Sequence, residues 1–214
     1  MIDCVDRLSG HTPLQTAAML GDYASAYLLL NHGASLNFHG GYFGTPLQAA
    51  AYHGNIETVT LFLDYGADPN AEGGFLCTPF VAAACNGHIQ TAKDLYDKGA
   101  DTYCPPDLLR ERVNPSQSEK FGEQLVSTLK AILGPDDVST LEGMKILAWV
   151  YSDHERLAEA EDLLTQVVRG HQKTLGDSHP STLTSKNDLA FFLKQHNREI
   201  EALVLLNDIA QTEI

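Results

Sequence analysis

A tandem periodicity restricts this chain more than any other feature. Three segments align without gaps at offsets of 33: TPLQTAAMLGDYASAYLLLNHGASLNF from Thr12, TPLQAAAYHGNIETVTLFLDYGADPNA from Thr45 and TPFVAAACNGHIQTAKDLYDKGADTYC from Thr78. The first two units, 12–44 and 45–77, agree at 14 of 33 positions. Repetition at this period means that each unit is one supersecondary piece, able to bury its apolar face only against its neighbours.

The residues of each unit predict two short helices. Thr-Pro opens the first: Thr caps it, and Pro suits the first helical position, where no N–H is needed. The pairs Ala17-Ala18, Ala50-Ala51 and Ala83-Ala84 are small, so neighbouring first helices can approach closely. Gly21, Gly54 and Gly87 end those helices, where a left-handed residue is wanted. The second helices carry Leu28 and Leu30, then Val59, Leu61 and Leu63, then Ile89, Ala92 and Leu95, and stop at Gly33, Gly66 and Gly99.

A second self-match, at an offset of 42, pairs LGPDDVSTLEGMKILAWVYSDHERLAEAEDLL from Leu133 with LGDSHPSTLTSKNDLAFFLKQHNREIEALVLL from Leu175. Going back by 42, residues 118–134 align with 160–176, so about two and a half units of helix, short turn and helix are expected. Pro180 sits at a helix start, and His154–Arg156 and His196–Arg198 lie at turns.

In its TPLQ, AA, G and GAD signatures the first half resembles the ankyrin repeat, over residues 2–104. The second half is similar to the 42-residue tetratricopeptide repeat of kinesin light chains and fungal receptor proteins, through LGDSHPSTL and NDLAFFL. The fold implied is an all-α helical repeat solenoid: three ankyrin units over 1–104, a joining segment over 105–117, and tetratricopeptide-like hairpins over 118–214. The ankyrin family usually has His after TPL. Here Gln15, Gln48 and Val81 stand there; Gln is a partial substitute and Val is none, so the third unit should be less well tied. The joining segment CPPDLLRERVNPSQ reads either as a hinge or as a packed adaptor built on Leu108, Leu109 and Val113, and three aliphatics in six residues favour the adaptor.

The ankyrin resemblance implies a contact surface at the ends of the first helices and the hairpin tips. On this chain those positions are Met19, Leu20, Tyr52, His53, Cys85 and Asn86, and the tips GGYFG and GGFLC with Tyr42, Phe43, Phe75 and Leu76. Aromatic tips either form a binding hot spot or pack on one another to stiffen the hairpins. In the second array the resemblance implies groove positions at Lys145 and Asn187. So few cations argue against an acidic peptide there.

Charge adds direction. The chain has net charge −14; residues 1–104 hold 10 acidic and 3 basic side chains, residues 105–214 hold 18 and 11. That balance argues against nucleic acid and anionic membranes and for a protein or peptide partner with basic character. No apolar run approaches the ~20 residues of a membrane span, and no signal-peptide-like leader is evident. Cys4, Cys77, Cys85 and Cys104 have neither zinc-site spacing nor a disulfide framework, so they are expected as reduced thiols in the cytoplasm or nucleus.

No catalytic or cofactor motif is present; the expectation is a non-catalytic interaction module with no cofactor and no metal. Asp136-Asp137 reads as a helix N-terminal feature. The competing expectation is an atypical enzyme or small-molecule binder in a cleft between the arrays, drawing on Tyr42, Tyr52, His53 and His88. The last helix, EIEALVLLNDIAQTEI, is apolar on most sides through Ile200, Leu203, Val204, Leu205, Leu206 and Ile209. A further unit, a second chain or the body of the protein would cover it; with no helix pair before Met1–Gly10, this suggests an excised fragment or a homodimer joined through that helix.

Overall fold

The computed structural model describes residues 2–105 and 107–212. Pro106 of the joining segment and the last two residues of the closing apolar helix lie outside them. Among the described residues the chain forms eleven α-helices and one π-helical turn; the only β feature is an isolated bridge between Gly40 and Gly44. It divides into two compact units, Met1–Ile132 and Leu133–Ile214.

In the first unit the 33-residue period becomes three helix pairs: α1 (Pro13–Leu20) and α2 (Tyr23–Asn31), α3 (Pro46–His53) and α4 (Ile56–Asp64), α5 (Pro79–Cys85) and α6 (Ile89–Asp97). Thr12, Thr45 and Thr78 cap the first helices, each hydroxyl accepting from the N–H three residues on. At Thr12 and Thr45 the cap is reciprocal, because Gln15 and Gln48 accept from the threonine N–H at 2.7 and 2.8 Å. Gly21 and Gly54 close α1 and α3 at φ of 68° and 71°, the left-handed conformation expected of them. α3 packs between α1 and α5, and the core is made of Ala18, Ala50 and Ala84 with Leu14, Leu47, Phe62, Phe80 and Leu95, all buried.

Leu108 and Leu109, in a single π-helical turn over Leu108–Arg112, are buried, as is Val113. Pro115 then opens α7 (Pro115–Leu133), whose buried stripe includes Phe121, Leu125 and Leu129, spaced at helical intervals. The 42-residue period aligns this helix with the second array, yet the first compact unit takes it in. Thr128 donates to the Ala84 carbonyl at 3.4 Å, and the Gln124 amide lies against Gly87, so α7 sits on the end of α5.

The second unit is two helical hairpins, α8 (Val138–Asp153) with α9 (Leu157–Leu175) and α10 (Pro180–Gln195) with α11 (Glu199–Thr212). Asp137 caps α8 by accepting from the Ser139 N–H at 2.9 Å. The turns repeat as closely as the sequence does. Glu155 and Asn197 are both left-handed at φ 61°, and the preceding His154 and His196 donate Nδ1–H to the Val150 and Phe192 carbonyls at 2.8 and 2.7 Å. Gly170 lets α9 approach α8, since a Cβ there would meet Leu141 Cδ2 at 2.6 Å. α11 buries Ala202 and Ile209 against α10 and leaves Ile200, Leu203, Val204 and Leu206 exposed. Lys186, only 3% exposed, ties α11 down: its ammonium lies 2.5 Å from Asp208 and 3.6 Å from Asp177.

Candidate interaction surfaces

The glutamines that stand where histidine was expected build the first surface. Gln15 donates Nε2–H to the carbonyls of Gly40 and Gly44 at 2.9 and 2.6 Å; Gln48 does the same to Gly73 and Cys77 at 2.7 and 2.5 Å. Each glutamine thus caps its own helix with one atom and holds the next hairpin with the other. Val81 has no group to do this, and the third unit is instead backed by α7.

With the hairpins pinned, their tips close on one another. The Phe75 N–H donates to the Tyr42 carbonyl at 3.2 Å, and a Cβ at Gly74 would lie 2.3 Å from the Phe43 carbonyl oxygen. Only glycine, here at φ 58°, allows that approach. The Tyr42 and Phe75 rings stack at 4.1 Å, Phe43 meets Tyr42 edge-on at 5.1 Å, and Tyr52 from the end of α3 lies 4.9 Å from Phe43 and 5.6 Å from Phe75. His53 stands 5.4 Å from Phe43, and His11 stacks on Phe43 at 5.8 Å.

The rings therefore pack on one another and also face outward: Tyr42 is 55% exposed, His53 is exposed, and Phe43, Tyr52 and Phe75 are half-buried. Burial, then the neighbouring Tyr52, pushes the Tyr42 phenol up; burial, then His88, lowers the His53 imidazole. The space among Phe43, Tyr52 and Phe75 is about 10 Å³, too little for a ligand, so these rings present a surface and not a pocket.

Several expected contact residues lie elsewhere. Leu76 and Cys85 are buried and cannot touch a partner: Leu76 anchors its hairpin in the core, and Cys85 faces inward from α5. Asn86, half-buried, turns its amide back to the Ala82 carbonyl at 2.9 Å. Leu20, 77% exposed, lines a separate groove of about 550 Å³ with Ile2, Pro13, Ala17, Leu28 and Leu29, away from the ring cluster. The half-buried Met19 gives its carbonyl to the Asn55 amide at 3.1 Å. His88, one unit after Asn55, likewise donates Nε2–H to the Tyr52 carbonyl at 3.1 Å, a tie between units.

The second surface lies on α8 and α10. Lys145 reaches Glu142 at 2.6 Å and Asp188 at 3.7 Å, so its charge is already engaged. Asn187, its counterpart 42 residues on, is exposed. Beside this charged cluster Trp149 and Phe191 meet edge-to-face at 6.1 Å, with Phe192 buried beneath at 6.3 Å from Trp149. Sequence reasoning passed over this aromatic pair, although Trp149 and Phe191 are themselves 42 residues apart and occupy one repeat position.

The four cysteines are free thiols. Burial drives Cys85 well above the ordinary thiol range and pushes Cys104 up to about 12. Among the described residues no group of three or more His, Cys, Asp or Glu side chains is placed to hold a metal ion, and no helix is long and apolar enough to cross a membrane. A family model of ankyrin repeats, in three copies, matches residues 2–73 and 44–105, and one of the tetratricopeptide repeat matches residues 141–181. No curated protein matches the chain.

Proposed function

The chain is an ankyrin-repeat protein that continues into a tetratricopeptide repeat, and we propose that it is a non-catalytic scaffold or sensor region that captures a protein partner on its hairpin tips. Repeats of both kinds are protein-interaction modules. One observation carries the finer reading: rings from two hairpins and the end of α3 form one continuous cluster that leaves Tyr42 more than half exposed. Clustered aromatics on a rigid support lose little entropy on binding and supply much of an interface's energy.

The partner surface is basic. Of the three cations among residues 1–104, Lys93 pairs with Asp97 at 2.9 Å and Lys98 with Asp64 at 3.1 Å, against ten carboxylates. The second array holds a further segment of the same or another partner. Four free thiols suit a reducing compartment, the cytoplasm or nucleus.

Affinity capture from native extract with the parent chain and with Tyr42→Ala/Phe75→Ala tests this. The parent should retain a set of proteins that the double variant, equally folded by circular dichroism, loses. Equal recovery by both removes the tips as the binding surface. For the exposed stripe of α11 the proposed cover is a second copy of the chain, and an unchanged light-scattering mass for Leu203→Glu would dismiss it.

A further inference from the structure

We propose that the face shared by α8 and α10 is a docking site for an extended peptide segment bearing arginine, whose guanidinium pairs with Asp188 and lies against Trp149 and Phe191. This rests on the second array being a docking element and is independent of the ankyrin tips.

Three observations carry it. First, the charged cluster does not balance: two carboxylates, Glu142 and Asp188, share one ammonium, Lys145, which lies 2.6 Å from the former but 3.7 Å from the latter. Asp188 is thus the less compensated carboxylate. Burial raises its pKa, Lys145 opposes that shift, and Glu142 adds to it. Asp188 has only a share of one cation, and a second from outside would complete its pairing.

Second, an aromatic step lies one helical turn along from the cluster on both helices. Trp149 follows Lys145 by four residues, and Phe191 follows Asp188 by three, so each pair lies on one helix face. The rings meet at 62°, and Phe191 is 55% exposed. A carboxylate beside an open aromatic face selects arginine over lysine: the planar guanidinium forks onto the carboxylate and stacks on a ring, whereas an ammonium holds its water more tightly. The same unit already uses this contact internally, where the Arg156 guanidinium lies 4.0 Å over the Tyr151 ring.

Third, the site rejects the opposite charge. An acidic segment would meet two carboxylates and a lysine already held between them, a repulsion that works against wrong partners.

Trp149 is the only tryptophan in the chain, so its emission reports on this face alone. The experiment titrates the full chain with capped nine-residue peptides, alike except for a central Arg-Leu-Arg or Glu-Leu-Glu. The Arg peptide should shift or quench Trp149 emission saturably, and more weakly at high salt. Asp188→Asn should weaken it about tenfold, as expected when a charge-assisted hydrogen bond is lost. Phe191→Ala, a surface change, should weaken it as well while helix content stays unchanged.

No saturable response to the Arg peptide, an equal response from Asp188→Asn, or tighter binding of the Glu peptide each overturns the proposal. So does a doubled mass that Phe191→Ala abolishes, which would make the face a contact between copies. The tips are read separately by Tyr42→Ala/Phe75→Ala, which should leave this titration untouched.

Discussion

Replacing Gln48 by alanine tests whether the glutamine ties are what hold each helix pair to the hairpin that follows it. The side chain is buried and makes three bonds: Oε1 accepts from the Thr45 N–H at 2.8 Å, and Nε2 donates to the Gly73 and Cys77 carbonyls at 2.7 and 2.5 Å. Truncation takes their side-chain partner from the Thr45 N–H and the Gly73 carbonyl, and one of two bonds from the Cys77 carbonyl, which still accepts from the Gly73 N–H at 2.9 Å. The Thr45 N–H is fully buried and costs about 1–3 kcal/mol; the two carbonyls sit where water partly reaches them and cost about 0.5–1 kcal/mol each. The sum is about 3 kcal/mol. Because repeats couple only to neighbours, the loss should concentrate in hairpin 73–77 and the start of α3. Hydrogen exchange read by mass spectrometry is the suitable assay, since a chain of two units need not unfold in one step. Opening free energies there should drop by about 3 kcal/mol, with α8–α11 unchanged. Gln48→Glu sharpens the test. It is nearly isosteric and keeps the acceptor, but turns a carboxylate toward two carbonyls, so it should cost more than alanine. A drop under about 1 kcal/mol for alanine, or a milder effect for glutamate, would mean that shape and not hydrogen bonding holds the hairpin.

Four further outcomes follow from the geometry. Gly74→Ala should loosen the tip cluster and raise protease cleavage at residues 72–77, because the new Cβ meets the Phe43 carbonyl at 2.3 Å. Native alkylation near neutral pH should label Cys4 and Cys77 and spare Cys85 and Cys104, which burial keeps protonated; mass spectrometry would then find four adducts only after unfolding. His171 is buried with Nδ1 2.6 Å from the Ser185 hydroxyl, and burial, with smaller effects of Lys145 and His179, holds its pKa below 6.5 despite Glu142. The unfolded chain therefore takes up the proton first, so the second unit keeps its full stability above about pH 6.5 and loses it on acidification, a dependence that His171→Gln should flatten in pH-jump unfolding. Asp208→Ala leaves the buried Lys186 ammonium with Asp177 alone at 3.6 Å, and should cost about 2–3 kcal/mol, seen as faster exchange along α11.

Much of the fold was legible because its signals are local and repeated. Thr-Pro, the alanine pairs and the closing glycines each have one structural solution, and the α1, α3 and α5 starts stand 33 residues apart as the sequence does. The HxR turns were equally readable. What escaped was settled by neighbours. The period of 42 aligns FGEQLVSTLKAIL with the second array, whereas Thr128 and Gln124 set α7 on the first through Ala84 and Gly87, some forty residues earlier. Leu76 and Cys85 sit at positions that point outward in the family resemblance, yet here both are buried. Lys145 resembled a free groove cation, but Glu142 on its own helix holds it at 2.6 Å and Asp188 of the next hairpin lies 3.7 Å from it. Trp149 and Phe191 look like core aromatics in a string of apolar residues, and only their equivalent register hints that they form a pair.

The glutamine ties run in one sense along the chain. Gln15 grips the hairpin after it and Gln48 the hairpin after that, and neither reaches back. Trimming from the two ends should therefore be unequal. A cut before Thr45 leaves Gln48 with all its acceptors, whereas a cut between α4 and Gly73 strips them away and strands a buried amide. Asn55 and His88 reach the other way, to the Ala18, Met19 and Tyr52 carbonyls, so versions shortened for crystallography or design should end after the hairpin that each glutamine holds.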